Sequence, residues 1–355
     1  MVQAETQREH GGSNPDGDEV LAVKNLRTYF YTKDGVVPAV DDVSFSLRRG
    51  EILGVVGESG SGKSVTARSV MRLVPPPGET VSGEIVFKGE NLLDLNESAM
   101  RHIRGAQISM VQQEPMTSLN PVLTIGTQVS ELFTHHQQHS IGSSIKEAVI
   151  NILTRVQIPD AARRLADYPM HFSGGMRQRV SIAMATALQP DLVIADEPTT
   201  ALDVTTQAQV LDLLLELRDE LGVSVLFITH DLGVVAQICD SVAVMYAGKI
   251  VEYNSVEEIF ANPQHPYTKA LLVSLPRLGE RFDTLPTIEG QPPDLGNLPP
   301  GCSFASRCPV AVDRCSEEAP GSTPLGSDGG RAHIRCWVAA DELAGAGSTA
   351  EGGAK

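Results

Sequence analysis

Gly57-Glu58-Ser59-Gly60-Ser61-Gly62-Lys63-Ser64 fits G-x-x-x-x-G-K-[ST], the sequence of a phosphate-cradling loop. Its flanks carry the reading. Glu51–Val56 is a short apolar run that predicts a buried strand entering the loop. Ser64–Leu73 predicts a helix leaving it, closed by Pro75-Pro76-Pro77. That order aims backbone N–H groups and the positive end of a helix dipole at one anion. The glycines permit close approach and conformations that a Cβ forbids. Lys63 can reach the β- and γ-phosphates of a bound nucleoside triphosphate, and the Ser64 hydroxyl can ligate Mg²⁺.

The chain of 355 residues is long enough for two or three domains. Asp+Glu 44 against Lys+Arg 28 gives a formal net charge of −16, which argues against a broad basic face for nucleic acid. No stretch approaches ~20 apolar residues, so no bilayer span is predicted. Met1–Glu19 is polar and lacks a signal-peptide core. The expectation is a cytoplasmic chain that meets a membrane only through a partner.

Residues 1–18 read as disordered. Leu21–Tyr31 reads as an edge strand, Thr32–Gly35 as a turn and Val37–Leu47 as the return strand. Among the aromatics Tyr29, Phe30 and Tyr31, Phe30 is the candidate to stack on an adenine. Ser82–Gly89 and Gln107–Gln113 read as further strands. From Thr117 to about Pro169 the periodicity is helical. A capping box runs from Ser144 to Glu147, and Ile145, Val149, Ile152, Leu153 and Val156 share one face. This is a helical insertion in an α/β core. His135, His136 and His139 have no acidic or Cys partner at ligand spacing and read as a solvated loop.

Phe172-Ser173-Gly174-Gly175-Met176-Arg177-Gln178-Arg179 precedes a helix predicted over Val180–Leu188, and Ser-Gly-Gly at a helix start is a second anion site. Leu192–Glu197 is an apolar strand ending in two carboxylates. Asp196 can hold Mg²⁺, and Glu197 can accept a proton from attacking water. A helix over Thr205–Leu221 closes at Gly222. The strand Val223–Ile228 then ends in Thr229-His230-Asp231, which puts His230 where open α/β sheets collect ligand groups.

Taken together over residues 20–270, these elements resemble the ATP-binding cassette (ABC) ATPases. Gly57–Ser64 resembles their Walker A loop, Leu192–Glu197 Walker B and Gln113 the Q-loop glutamine. Ser173-Gly174-Gly175 resembles the signature, Ala201-Leu202-Asp203 the D-loop and His230 the switch histidine. Phe172 stands for the usual Leu and Met176 for the usual Gln. The resemblance implies an α/β P-loop cassette: a RecA-like core with an antiparallel β subdomain and a helical insertion. It implies two cassettes arranged head to tail, with each ATP between one chain's P-loop and the other's signature helix. Lys63, Ser64, Asp196 and Gln113 then handle phosphate and Mg²⁺, Glu197 is the general base and His230 holds the γ-phosphate. Ser173 and Gly175 act on the partner's nucleotide, and Gly174 and Asp203 join the nucleotide contacts.

A finer resemblance is to the dipeptide/oligopeptide/nickel importer branch. Val37–Phe45, Gln113–Pro121, Gly174–Arg179, Asp196–Thr205 and Asn262–Thr268 carry it, with Leu271-Leu272 and Ser274-Leu275-Pro276. It implies an ATP-hydrolysing subunit on the cytoplasmic face of the cell membrane. Its partners are two permeases fed by an external binding protein, and a second cassette in a heterodimer. Residues 113–125 then lie at the permease. The alternatives are an importer for nickel or another small solute and, in another class, a non-transport ABC ATPase or a regulatory nucleotide-binding module.

Cys239 is placed in an apolar helix and reads as a buried small hydrophobe. Cys302, Cys308, Cys315 and Cys336 cluster near the end of a chain expected to be cytosolic, where disulfides are disfavoured. Four thiolates suit a [4Fe–4S] cluster first, zinc second, with unligated cysteines third. Gly301–Pro309 also resembles a C-terminal motif of the importer family, some members of which carry an iron–sulfur cluster. The expected layout is a cassette over 19–270 with its helical part at about 115–175, a four-cysteine extension over 271–338 and a disordered tail over 339–355.

Overall fold

The computed structural model describes residues 19–113, 118–136, 144–200, 202–275, 287–326 and 328–350. The expectations for residues 1–18, Glu114–Thr117, His139, Ala201, Pro276 and 351–355 lie outside them.

Two sheets organise the chain. The hairpin β1 (Glu19–Thr32) and β2 (Gly35–Arg48) leads into β3 (Ile52–Val56), the glycine loop and α1 (Lys63–Val70). The strands β4 (Gly78–Phe87) and β5 (Glu90–Asn91) return to the hairpin, giving an antiparallel sheet of order β2-β1-β4-β5. The expectation of an edge strand at Leu21–Tyr31 is therefore corrected: β1 is flanked by β2 and β4. Leu21, Ala22 and Val23 are all buried, as is Thr28, so the strand is covered on both faces at its start rather than alternating.

α2 (Glu97–Ile103), capped by Asn96, precedes β6 (Ile108–Val111). The helical insertion follows: α3 (Ile125–His135), α4 (Ile145–Arg155), α5 (Ala161–Arg164) and α6 (Gly174–Thr186). The Ser144–Glu147 capping box forms, and Val149, Ile152, Leu153 and Val156 are buried, whereas Ile145 is 38% exposed. α6 starts earlier than its apolar pattern predicts, because Ser173 Oγ accepts the Met176 N–H and caps the helix at Gly174.

Next come β7 (Leu192–Asp196), α7 (Val204–Leu221, capped by Asp203 and closed by Gly222), β8 (Ser224–Thr229), α8 (Leu232–Ile238), β9 (Ser241–Tyr246) and β10 (Lys249–Ser255). The strands β9-β3-β8-β7-β6 run parallel, and β10 is antiparallel to β9. Every residue of β3, β7, β8 and β9 is buried, as expected of a parallel sheet covered on both faces. β3 splits its side chains between two cores. Ile52 and Val56 face the helical insertion and α7, while Leu53 and Val55 face the antiparallel sheet. Cys239 caps α8 and is buried as a small hydrophobe.

α9 (Val256–Ala261) and α10 (Pro266–Val273) lead out of the cassette, and α11 (Asp313–Glu317), β11 (Thr323–Pro324), β12 (His333–Ile334) and α12 (Trp337–Ala350) follow. β12 pairs with β10 through Glu252↔Ile334 and Tyr253↔His333, so the extension completes the core sheet in the order β11-β12-β10-β9-β3-β8-β7-β6. The Arg331 guanidinium meets both Glu51 carboxylate oxygens at 2.8 Å, and Arg335 reaches Asp42 at 2.8 Å. The stretch from Ala339 was expected to be disordered, yet α12 runs through Ala350. Its composition is rich in good helix formers. Its first residue is fixed by Trp337 Nε1 donating to Glu318 O and by the Arg314 guanidinium 3.3 Å from the indole centre. Among the described residues no helix is long and apolar enough to cross a membrane.

Candidate functional site

The phosphate loop joins β3 to α1 at the C-terminal edge of the parallel strands. Its shape depends on glycine. Gly57, Gly60 and Gly62 have φ of 155°, 78° and 105°, and a Cβ on Gly57 or Gly62 would lie 2.2 Å from Met245 O or 2.3 Å from Ala39 O. Gly248 N donates to Ser61 O at 2.9 Å, which fastens the loop to the β9–β10 turn. α1 has Gly62 as its N-cap, no side-chain cap and no acidic residue in its first turn, leaving its N-terminal N–H groups for an anion. The Lys63 ammonium donates to the carbonyls of Gly57 (2.8 Å) and Glu58 (2.9 Å). Burial lowers its pKa, while the charges of Glu197, Asp196 and Glu58 raise it.

Asp196 ends β7, is 2% exposed, and accepts a 2.9 Å bond from Ser64 Oγ. Its carboxyl is held above the usual range by burial, with Glu197 adding to the rise and Ser64, Arg68 and Lys63 opposing it. Glu197 follows in a left-handed conformation (φ 47°). One oxygen of Glu197 accepts from Gln113 Nε2 at 3.0 Å and Thr200 Oγ1 at 2.8 Å, with His230 Nδ1 at 3.4 Å. Non-glycine residues hold such a backbone only where the surroundings impose it, and here three neighbours converge on the carboxylate. A cleft of about 370 Å³, lined by Arg68, Leu73, Met110, Gln113 and Asp196, opens beside this group. Lys63, Ser64, Gln113, Asp196, Glu197 and His230 thus bring oxygen donors, one imidazole and a buried cation together, a combination chemically suited to Mg²⁺ and a triphosphate.

Ser173, Gly174 and Gly175 lie apart from that constellation, at the start of α6. Gly174 faces open space, and a Cβ on Gly175 would meet Thr206 Cγ2 at 2.4 Å. Asp203 caps α7, accepting from Thr206 N at 3.0 Å and Thr206 Oγ1 at 2.7 Å, bonds that lower its pKa. Phe30 is half-buried, and its ring lies where a Cβ on Gly78 would be, alongside Val74. The Tyr29 hydroxyl donates to Asp41 Oδ1 at 3.0 Å.

The family model described as ABC transporter matches residues 40–200, and the model described as oligopeptide/dipeptide transporter, C-terminal region, matches residues 251–315. The dipeptide transport ATP-binding protein DppD of Bacillus subtilis (strain 168) is 52% identical over 322 residues, 90% of this chain and 95% of that protein. The chain belongs to the ABC ATPases of the peptide-transporter family. The oligopeptide transport ATP-binding protein OppD of Escherichia coli (strain K12) is 50% identical, over 85% of this chain and 89% of that one. Among solved structures, the dimeric post-hydrolysis state of the cassette MJ0796 bound to ADP and Pi has a TM-score of 0.60 at 26% identity, covering 66% of this chain and 98% of that one. The cbiO1 subunit from Clostridium perfringens gives 0.59 at 28% identity, over 69% and 92%. The reaction of this ABC subunit is ATP hydrolysis coupled to transport.

Three contacts of the cassette escape the sequence reading. Thr200 is the third partner of Glu197. Tyr267 Oη accepts the Glu58 N–H at 2.9 Å, and Arg307 forms a two-pronged ion pair with the Glu58 carboxylate at 2.7 and 3.0 Å. Both partners lie within the residues 251–315 matched by the C-terminal family model, Tyr267 on α10 and Arg307 in the extension. His265 Nδ1 accepts the Tyr267 N–H, and Glu252 accepts the N–H groups of Gln264 and His265, so the His265-Pro266-Tyr267 run serves to orient Tyr267.

Cys302, Cys308, Cys315 and Cys336 line one small cavity with Phe304, Pro320 and Trp337, and none forms a disulfide. The Cys302 thiol is pushed up to about 11 by burial, with the three other thiols adding to the rise. Cys308 and Cys336 are also raised by burial. Among the described residues, however, no three His, Cys, Asp or Glu side chains stand at metal-binding geometry. His265 also lines the cavity, but its Nδ1 is occupied and burial pushes its pKa down to about 3.

Proposed function

We propose that the chain hydrolyses ATP to energise uptake of dipeptides or oligopeptides, docked on the cytoplasmic face of the membrane against two permeases. The carrying observation is the convergence of Gln113, Thr200 and His230 on Glu197 next to the Ser64–Asp196 pair. Glu197 acts as general base toward the attacking water, Gln113 positions that water, and His230 contacts the γ-phosphate. Lys63 and the N–H groups of residues 57–64 bind phosphate, and Phe30 stacks on the base. Ser64, Asp196 and Gln113 would hold Mg²⁺, which when bound offsets phosphate charge. Peptide is favoured over nickel or another solute because relatives such as DppD and OppD are peptide transport proteins.

Ser173, Gly174, Gly175 and Asp203 act across a head-to-tail pair with a second, related cassette. Exposed apolar side chains support this. Val204 beside Asp203 is 85% exposed, Met170 before the signature 77%, and Val122 after the Q-loop 75%, the highest values for large apolar side chains among the described residues. Val204 and Met170 suit the cassette partner, and Val122 suits a permease.

The test is ATP turnover of complexes co-purified with permeases, comparing wild type with Glu197→Gln. Loss of peptide-stimulated turnover with retained ATP binding is expected. Unchanged turnover would move hydrolysis to the partner and leave this chain a regulatory half.

Cys302, Cys308, Cys315 and Cys336 are proposed to ligate a [4Fe–4S] cluster, with zinc the second choice. Four unpaired thiols lining one cavity supply the right donor type, although as placed no three of them stand at metal-binding geometry, so ligation would require them to draw together. Iron, sulfide and zinc analysis of anaerobically purified protein decides between them. Absence of iron, sulfide and zinc would leave the thiols as packing groups.

A further inference from the structure

We propose that Arg307 is a positioning residue of the ATP site, neutralising Glu58 and turning it toward the extension. Glu58 is the one carboxylate within Gly57–Ser64, and a negative charge there opposes the triphosphate that the loop accepts. Arg307 sits in the turn between Cys302 and Cys308, with its side chain 4% exposed. All five of its N–H donors are matched. Two meet the Glu58 oxygens at 2.7 and 3.0 Å, and the others meet Tyr246 Oη (3.3 Å), Ile288 O (3.3 Å) and Glu289 O (3.0 Å). The guanidinium also lies 5.8 and 5.9 Å from the ring centres of Tyr246 and Phe304. It is therefore held in one geometry before any nucleotide arrives, and the two-pronged fork fixes the direction of the carboxylate.

The grip extends to the catalytic cation. Tyr267 takes the Glu58 N–H, and the Glu58 carbonyl takes one bond from the Lys63 ammonium. Arg307, Glu58 and Lys63 form a continuous path from the cysteine extension to the phosphate position. This inference rests on reading Gly57–Ser64 as the ATP site, which nucleotide binding by the wild-type chain tests separately.

The experiment measures MgATP affinity of the full chain by calorimetry, together with KM and kcat in the permease complex. Arg307→Ala is expected to raise Kd and KM for MgATP about tenfold, with kcat changed by less than about threefold. Adding Glu58→Gln to Arg307→Ala is expected to restore affinity to within about threefold of wild type, although the other Arg307 contacts stay missing. Wild-type affinity in Arg307→Ala, or no rescue by Glu58→Gln, would overturn the proposal and reduce Arg307 to a packing residue. If Arg307→Ala does not fold, Arg307→Met with and without Glu58→Gln gives the same comparison, since methionine keeps the apolar stem but neither the charge nor the fork. Failure of the wild-type chain itself to bind MgATP would instead refute the ATP-site reading.

Discussion

Arg331→Ala isolates the join between the extension and the core sheet. Arg331 makes two 2.8 Å bonds to Glu51, one of 2.9 Å to Asp328 and one of 3.2 Å to Ser46 O. The Arg331 and Glu51 side chains are only 11% and 8% exposed, so solvent cannot replace the lost partner. Removing one side of a buried pair costs about 3–5 kcal/mol because the other charge is stranded. Glu51 keeps the Arg48 N–H at 2.7 Å and the Ser241 hydroxyl at 2.6 Å, which places the loss at the low end, about 3 kcal/mol. Equilibrium unfolding in urea measures it, with Arg331→Met plus Glu51→Met as the companion variant. That pair, removing both charges, is expected to recover most of the loss. A loss below about 1 kcal/mol in Arg331→Ala would place the bridge with exposed ion pairs and refute the argument.

Asp196→Asn is expected to stabilise the nucleotide-free chain by about 1 kcal/mol at pH 7 while abolishing Mg²⁺-dependent nucleotide binding. Burial and then Glu197 hold the Asp196 carboxyl above its unfolded value, so the folded state binds the extra proton. Stability is lost as pH rises through that window, and the advantage of Asn shrinks toward about pH 4. Equal melting temperatures at pH 7 would contradict this. Gly57→Ala puts a Cβ 2.2 Å from Met245 O at a φ of 155°. It should cost at least about 3 kcal/mol and remove nucleotide binding, and a chain with wild-type affinity would show that the loop tolerates the shift. Tyr267→Phe strands the Glu58 N–H at a cost of about 1–2 kcal/mol. Calorimetry should show weaker MgATP binding, and an unchanged constant would exclude Tyr267 from shaping the loop.

The catalytic side of the site is legible because each group stands at a strand–loop junction within a short, chemically distinctive run. Gly57–Ser64, Asp196-Glu197 and His230 need no distant residue to be noticed. The Ser144–Glu147 cap is equally local. Contacts made across the fold are not legible. Arg307 is 249 residues from Glu58, and nothing in Ser306-Arg307-Cys308 marks its partner. β12 is two residues long, too short for an alternating pattern, yet it extends the core sheet. Alternation in Leu21–Tyr31 could not tell an edge from an interior strand, because that depends on where β4 returns. Ile145 follows the helical period but lies at the first turn, beyond the packed part of the face.

The pairing of β12 with β10 has a consequence for synthesis on the ribosome. Ser255 emerges long before His333, so at about 5–20 residues per second the outer side of β10 waits on the order of 4–15 s for its partner. During that interval a nascent chain carries an open strand edge of the kind that recruits other chains. Until residue 307 emerges it also lacks Arg307, so Glu58 is uncompensated and weaker nucleotide binding is expected. A message cut short before codon 307 leaves the edge open and Glu58 without its clamp, and one cut between codons 307 and 333 leaves only the edge open. Translation through Ile334 closes the edge after the Arg307–Glu58 pair can form, so the loop contact and the sheet are completed in that order.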